Sequence, residues 1–371
     1  MKFCYFASVP WPHLKQRPDA WPFPNTGFDP DLGAACFDEA VAQLIAAEAH
    51  GFDAVGVGED HMTAYGMTPN PLLMLAIVAR QTRRVELITM GTPLPLLNPV
   101  RVAEEMAMVD LLSHGRMVAG LIRGVPQNYA AYNIDPNESH ARFAEGIELI
   151  TRLWTATEPF SWESAHYRFP KLSLWPRPLT QPHPPFLFSA NSTRSARIGA
   201  EHRARIGAIH LYNRDAIDRV ADAIEAYRQT AAENHWEPTA DRFLIGLQTC
   251  IAPTDTQARE RFAPALDYQY NVLSGTYNAE KRRIAATTGY GLSPTEEAPP
   301  SLDERLEAGT VLCGSPDTVT EQIRQLESRL GVGTVAFHMQ VGNLDPAHAT
   351  EGMTLFRDRI RPNFPQSGDA A

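Results

Sequence analysis

Eight strand-like runs, each followed by a helix-like run, most limit what this chain can fold into. The strand-like runs fall near 2–8, 53–58, 85–90, 117–122, 185–190, 206–212, 243–251 and 333–340. Helical periodicity occupies 35–50, 71–82, 98–113, 138–156, 193–203, 214–234, 255–272 and 316–330. Parallel strands need a crossover between them, and a crossover helix hides one face of the sheet. Repeated eight times, this order predicts a closed (β/α)8 barrel. An open doubly wound sheet is the alternative, but no G-x-G-x-x-G follows the first strand. A single barrel domain over 1–365, with insertions, accounts for almost all of the 371 residues.

Local signals agree with this division. Asn70-Pro71, Asn98-Pro99 and Ser315-Pro316 place a capping side chain before a proline suited to a first helical turn. Gly51 stops the first helix. Two stretches break the rhythm. Residues 157–185 hold Trp162, Trp175 and seven prolines and read as an excursion after helix 4. Residues 273–309, polar and rich in Gly and Pro, are expected to lack regular structure and to form a lid over the barrel mouth, before the last barrel helix. The tail, 366–371, is expected to be disordered.

Composition narrows the function. A net charge of −10 argues against nucleic acid and anionic membrane as partners. No run of 18 apolar residues exists, and the opening MKFCYFASVPWPH reads as a first strand, not a signal peptide. Cys4, Cys36, Cys250 and Cys313 lie far apart without a CxxC, which points to buried thiols in a reducing cytoplasm.

In a barrel of this kind the chemistry sits at the C-terminal ends of the strands. Read in order, those ends supply Ser8; Glu59, Asp60 and His61; Thr89 and Met90; Arg123 and Gly124; Ser189, Asn191, Ser192 and Thr193; Tyr212 and Asn213; Gln248; His338 and Gln340. Glu59-Asp60-His61, straight after the buried-looking DAVGVG, therefore faces a mouth and not the core. Arg123 follows MVAGLI at the rim of an apolar strand. A guanidinium placed there wants a planar anion, carboxylate or phosphate. The stretch SANSTRS precedes a helix and offers free N–H groups to an anion. Arg123 with Ala190, Asn191, Ser192 and Thr193 forms a candidate phosphate clamp; an internal salt bridge and an ordinary N-cap are the alternative. Trp11, Phe23, Tyr65, Met67, Ile122, Tyr129 and Tyr132 are candidates for lining an apolar substrate cavity.

The stretches GFDAVGVGEDHMTAYG, NPVRVAEEMAMVDLLSHGRMVAGLIRG, WPRPLTQPHPPFLFSANST and VLCGSPDTVTEQI resemble the bacterial luciferase-like flavin monooxygenases, in the same order and over most of residues 1–361. The resemblance implies a barrel that binds reduced FMN or, in one branch, a reduced deazaflavin. It implies a flavin peroxide that passes one oxygen atom of dioxygen to a small organic substrate. It also implies a separate NAD(P)H-dependent flavin reductase as partner, and a homodimer built on helices around VRVAEE and DLLSHGR. By the same resemblance Arg123 and Thr193, with the 190–192 backbone, bind the flavin phosphate. Thr89–Met90 would be a cis peptide beneath the flavin ring.

One position departs from the pattern. Luciferases read Glu-His-His at the end of strand 2, with the first His catalytic; here Asp60 takes that place. Aldehyde-driven light emission is therefore not expected. His61 remains to move a proton, and Asp60 can act as a base if burial raises its pKa. Two other readings stay open: a deazaflavin-dependent oxidoreductase and a non-catalytic flavin-binding subunit. A metal-dependent hydrolase is disfavoured, because the first strand carries Tyr5, Ala7 and Val9 where His-x-His would stand, even counting His210 and His338.

Overall fold

The computed structural model describes residues 1–209, 211–288 and 300–364. His210, the middle of the expected lid and the expected tail lie outside the described residues. In chain order the elements are β1 (Lys2–Ala7), α1 (Pro30–Ala49), β2 (Ala54–Val57), α2 (Pro71–Gln81), β3 (Glu86–Thr89), β4 (Thr92–Pro93) and α3 (Pro99–Ser113). Next come β5 (Met117–Ile122), α4 (Pro126–Tyr132), α5 (Ser139–Thr155), β6 (Phe160–Glu163), β7 (Arg168–Leu172), β8 (Phe186–Ser189), α6 (Thr193–Glu201) and β9 (Arg205–Ala208). The chain continues through α7 (Ala216–Glu233), β10 (Phe243–Ile251), α8 (Asp255–Asp267), α9 (Gly275–Thr288) and α10 (Leu302–Ala308). Last come β11 (Val311–Gly314), α11 (Pro316–Leu330), β12 (Thr334–His338) and α12 (Pro346–Leu355).

Strands β1, β2, β3, β5, β8, β9, β10 and β12 pair in parallel in that order, and β12 returns to β1. The sheet closes, as the eightfold alternation predicts. Helices pack outside through one large apolar core. A second, smaller cluster fills the barrel interior, with Cys4, Phe6, Ile88, Met90, Val118 and Leu244 among its members. Asn70, Asn98 and Ser315 cap α2, α3 and α11 by accepting backbone N–H bonds, as their positions before proline require.

Three differences from the sequence reading matter. The excursion 157–185 contains an antiparallel hairpin, β6–β7. The stretch 273–309 is helical in its described parts, as α9 and α10. The predicted helix 255–272 is α8 continued by a π-helical segment, Tyr268–Leu273. Three elements were not anticipated. Helix α4 follows β5, β11 adds to the barrel beside β10, and α12 follows β12. Asp345 caps α12 through Ala347 N at 2.9 Å, with Pro346 at its first position. All four cysteines are free. Among the described residues no helix is long and apolar enough to cross a membrane.

Candidate active site

The sheet closes most tightly at β3–β5. The Thr89 hydroxyl donates to Gly120 O at 2.9 Å and accepts from Gly120 N at 2.9 Å. A Cβ on Gly120 would lie 1.6 Å from Thr89 O, so only glycine fits. One strand over, Met90 fills the space above Gly56, where a Cβ would meet Sδ at 2.1 Å. This is the physical reason for Gly56 in DAVGVG. Thr89 is thus a buried structural pin, and Met90 a plug in the barrel. The cis peptide lies at Met90–Gly91, not at the expected Thr89–Met90 bond, because Thr89 is held within β3 by its bonds to Gly120.

Above this floor a cavity of about 370 Å³ opens at the C-terminal ends of the strands. Gly58, Gly91, Gly120 and Gly207 leave its bed without side chains, and Ile122, Leu187 and Ile209 make it apolar.

One end of the cavity is cationic. Arg123 leaves β5 and donates from Nη1 to Ser139 Oγ at 3.4 Å, while its carbonyl accepts the Tyr129 hydroxyl. Next to Ser139, His140 faces the same cavity. Burial, then the guanidiniums of Arg123 and Arg194, hold the His140 imidazole down at about 4. Across the cavity stands the N-terminus of α6. Ser192 caps it by accepting Ser195 N at 3.2 Å, and Ala190, Asn191, Ser192 and Ser195 line the wall. Thr193 is exposed and is not among the lining residues; Ser195, one short step along the helix, takes that place. A doubly charged oxyanion here would meet the Arg123 guanidinium, a neutral imidazole able to donate a hydrogen bond, and a helix N-terminus together.

The other end is acid–base. Glu59 and Asp60 line the cavity, but His61 does not. His61 is buried, with Nε2 3.0 Å from Glu59 Oε1 and Nδ1 3.1 Å from the Tyr132 hydroxyl. Its link to the cavity runs through Glu59, and α4 supplies the Tyr132 that holds its other nitrogen. Burial raises the Glu59 carboxyl above its usual range, against the pull of His61. Burial pushes Asp60 up to about 7, with His61 and Lys281 opposing and Glu59 adding. Gly66 packs against this carboxyl, where a Cβ would stand 2.5 Å from Oδ2. Lys281, from α9, lines the same end. Burial and Arg282 bring its ammonium down to about 8, against the attraction of Asp60.

The sequence reading had not named His140, Ser195 or Lys281. His140 and Ser195 follow named elements closely in sequence; Lys281 lay in a stretch read as irregular, so no periodicity pointed it inward. Of the proposed apolar lining, only Ile122 faces the cavity. Trp11, Tyr65 and Tyr129 are buried in packing around it.

The fold and this two-ended cavity define a class: a closed (β/α)8-barrel enzyme with its site at the C-terminal ends of the strands. The luciferase-like monooxygenase family model matches residues 21–333, and the chain belongs to that family. A similar relative is the oxygenase component of the flavin-dependent trigonelline monooxygenase of Acinetobacter baylyi. It is 25% identical over 313 residues, covering 82% of this chain and 84% of its own. Among solved structures, the monooxygenase RslO1 of Streptomyces bottropensis superposes with a TM-score of 0.80 and 25% identity, covering 98% of this chain and 100% of its own. The oxygenating constituent of 3,6-diketocamphane monooxygenase from Pseudomonas putida, in complex with FMN, gives a TM-score of 0.75 at 21% identity, with 98% of each chain covered.

Proposed function

We propose that this chain is the oxygenase component of a two-component system. In this reading it takes reduced FMN from a separate NAD(P)H-dependent flavin reductase and uses dioxygen to oxygenate a small organic substrate in the cytoplasm. The observation that carries the reading is the order of the cavity: a cationic phosphate end, a side-chain-free apolar bed, then an acid–base end. The residues fit the cofactor. Arg123, His140 and the α6 N-terminus suit its phosphate, and the glycine bed leaves room for a flat ring. When bound, reduced FMN supplies the electrons that activate dioxygen.

The chain's own residues do the rest. Arg123 and the 190–195 segment anchor and orient. Ile122, Leu187, Ile209 and Leu211 exclude water from the bed. Asp60, held near neutrality, takes or returns a proton at its carboxyl oxygen at working pH. Glu59, steadied by His61 and Tyr132, keeps a second carboxyl in place.

The reading is tested by anaerobic titration of reduced FMN and, separately, a reduced deazaflavin. Arg123→Ala should weaken reduced-FMN binding by about 1–3 kcal/mol, the scale of a lost charged hydrogen bond. Unchanged affinity would place the phosphate elsewhere. Preference for the deazaflavin, with turnover that needs no dioxygen, would replace the FMN reading by hydride transfer.

A further inference from the structure

Helix α9 brings one face to the barrel. Tyr277, Lys281 and Ile284 recur at helical spacing on that face. Tyr277 and Ile284 are buried, and Tyr277 stacks on Tyr65 with ring centroids 6.2 Å apart and planes 10° from parallel. Arg17 Nε bonds Thr276 Oγ1 at 3.0 Å and ties down the helix start. Between Tyr277 and Ile284, Lys281 is half-buried and lines the cavity.

No hydrogen bond or ion pair within 4.0 Å joins Lys281 or the Asp60 carboxyl to any side chain among the described residues. The two groups face one space and attract each other across it without touching. The proposed phosphate end has Arg123 and the α6 N-terminus, so the cofactor's charge does not need this one. A half-buried cation beside Tyr212 gives up part of its hydration and gains from an anion that arrives with its ligand. Tyr212, whose hydroxyl lies 3.0 Å from that of Tyr65, forms the neighbouring wall.

We propose that Lys281 and Asp60 clamp an acidic substrate: an apolar or aromatic body carrying a carboxylate, whose oxygens take the Lys281 ammonium and, on the far side, a proton shared with the Asp60 carboxyl. The inference rests on the flavin oxygenase reading and gives it a substrate class. Lys281 is here a specificity-determining residue. The Tyr212 wall beside Lys281 holds the apolar body, so the acid group sets orientation and the body sets fit.

The test uses benzoate, cyclohexanecarboxylate and octanoate, each against its amide, titrated calorimetrically into the full chain with and without FMN. At least one acid should bind about tenfold or more tighter than its amide, as a charged hydrogen bond implies. Lys281→Met should abolish that preference and Lys281→Arg should keep most of it, while FMN affinity changes less than about twofold in either. No acid preferred over its amide, or a preference that survives K281M, overturns the proposal. A K281M chain that loses FMN affinity and keeps the acid preference also overturns it, and assigns the lysine to the cofactor. Acid preference in a wild-type chain that takes up no FMN keeps the clamp and removes the flavin reading instead.

Discussion

His338 stands buried at the end of β12, with Nε2 3.0 Å from Ser8 Oγ and its ring edge-on to Phe6 at 5.0 Å. Burial brings its imidazole down to about 4. The sign of the consequence follows from proton counting. Below about pH 6.5 the unfolded chain protonates this histidine while the folded chain does not, so stability falls as pH drops from about 6.5 toward 4. The full effect is on the order of 3 kcal/mol. Chemical unfolding of the wild type and His338→Gln between pH 7.5 and 4.5 should show the variant losing less stability over that span. Parallel curves would assign the acid sensitivity to other groups. At this scale the residue types at the strand ends were readable from sequence, because a barrel places every such end at one mouth. Which of them touch the cavity was not. His61 and Thr89 turned away to Glu59 and Gly120, and Lys281 turned in, through bonds and packing made by segments distant in sequence.

Helices α2 and α3 pack against each other, yet both keep apolar side chains outside. Leu73 is 68% exposed and Ile77 50% on α2; Met108 is 51% exposed on α3, with Leu111 and Leu112 beside it. We propose that this apolar face is an association surface and that its occupant is a second copy of the chain. Leu73→Glu with Met108→Glu should give a monomer of unchanged circular dichroism in sedimentation analysis, while the wild type sediments as a dimer. A wild type that sediments as a monomer would remove the proposal. Element positions were well marked by sequence where a cap preceded a proline, as at Asn70-Pro71. The same mark at Asp345-Pro346 belongs to α12, which the alternation alone had not required. Helix α9 carried no such mark: its polar surface masks an inner face on which Thr276, Tyr277 and Ile284 are buried and Lys281 half-buried.

At the scale of the whole molecule, α9 is the element that joins the 273–309 insertion to the cavity, through Lys281. We propose that α9 covers the site, so that a filled cavity should steady it. Limited proteolysis within 273–309 should then slow in the presence of FMN and a bound acid; equal cleavage in both states would reduce α9 to a fixed wall. The closed barrel itself was determined by the sequence, because the eightfold alternation leaves parallel strands no other way to bury both faces without edges. So was the cationic end of the cavity, since Arg123 and the SANSTRS turn each stand at a strand end and need only closure to meet. At the acid–base end the sequence placed Glu59 and Asp60 at the mouth, and tertiary structure alone brought Lys281 to them. Asp60 and Lys281 are 221 positions apart, a hydrophobic pattern records only that a residue faces inward, and the charge that each one meets there depends on which distant segment packs opposite.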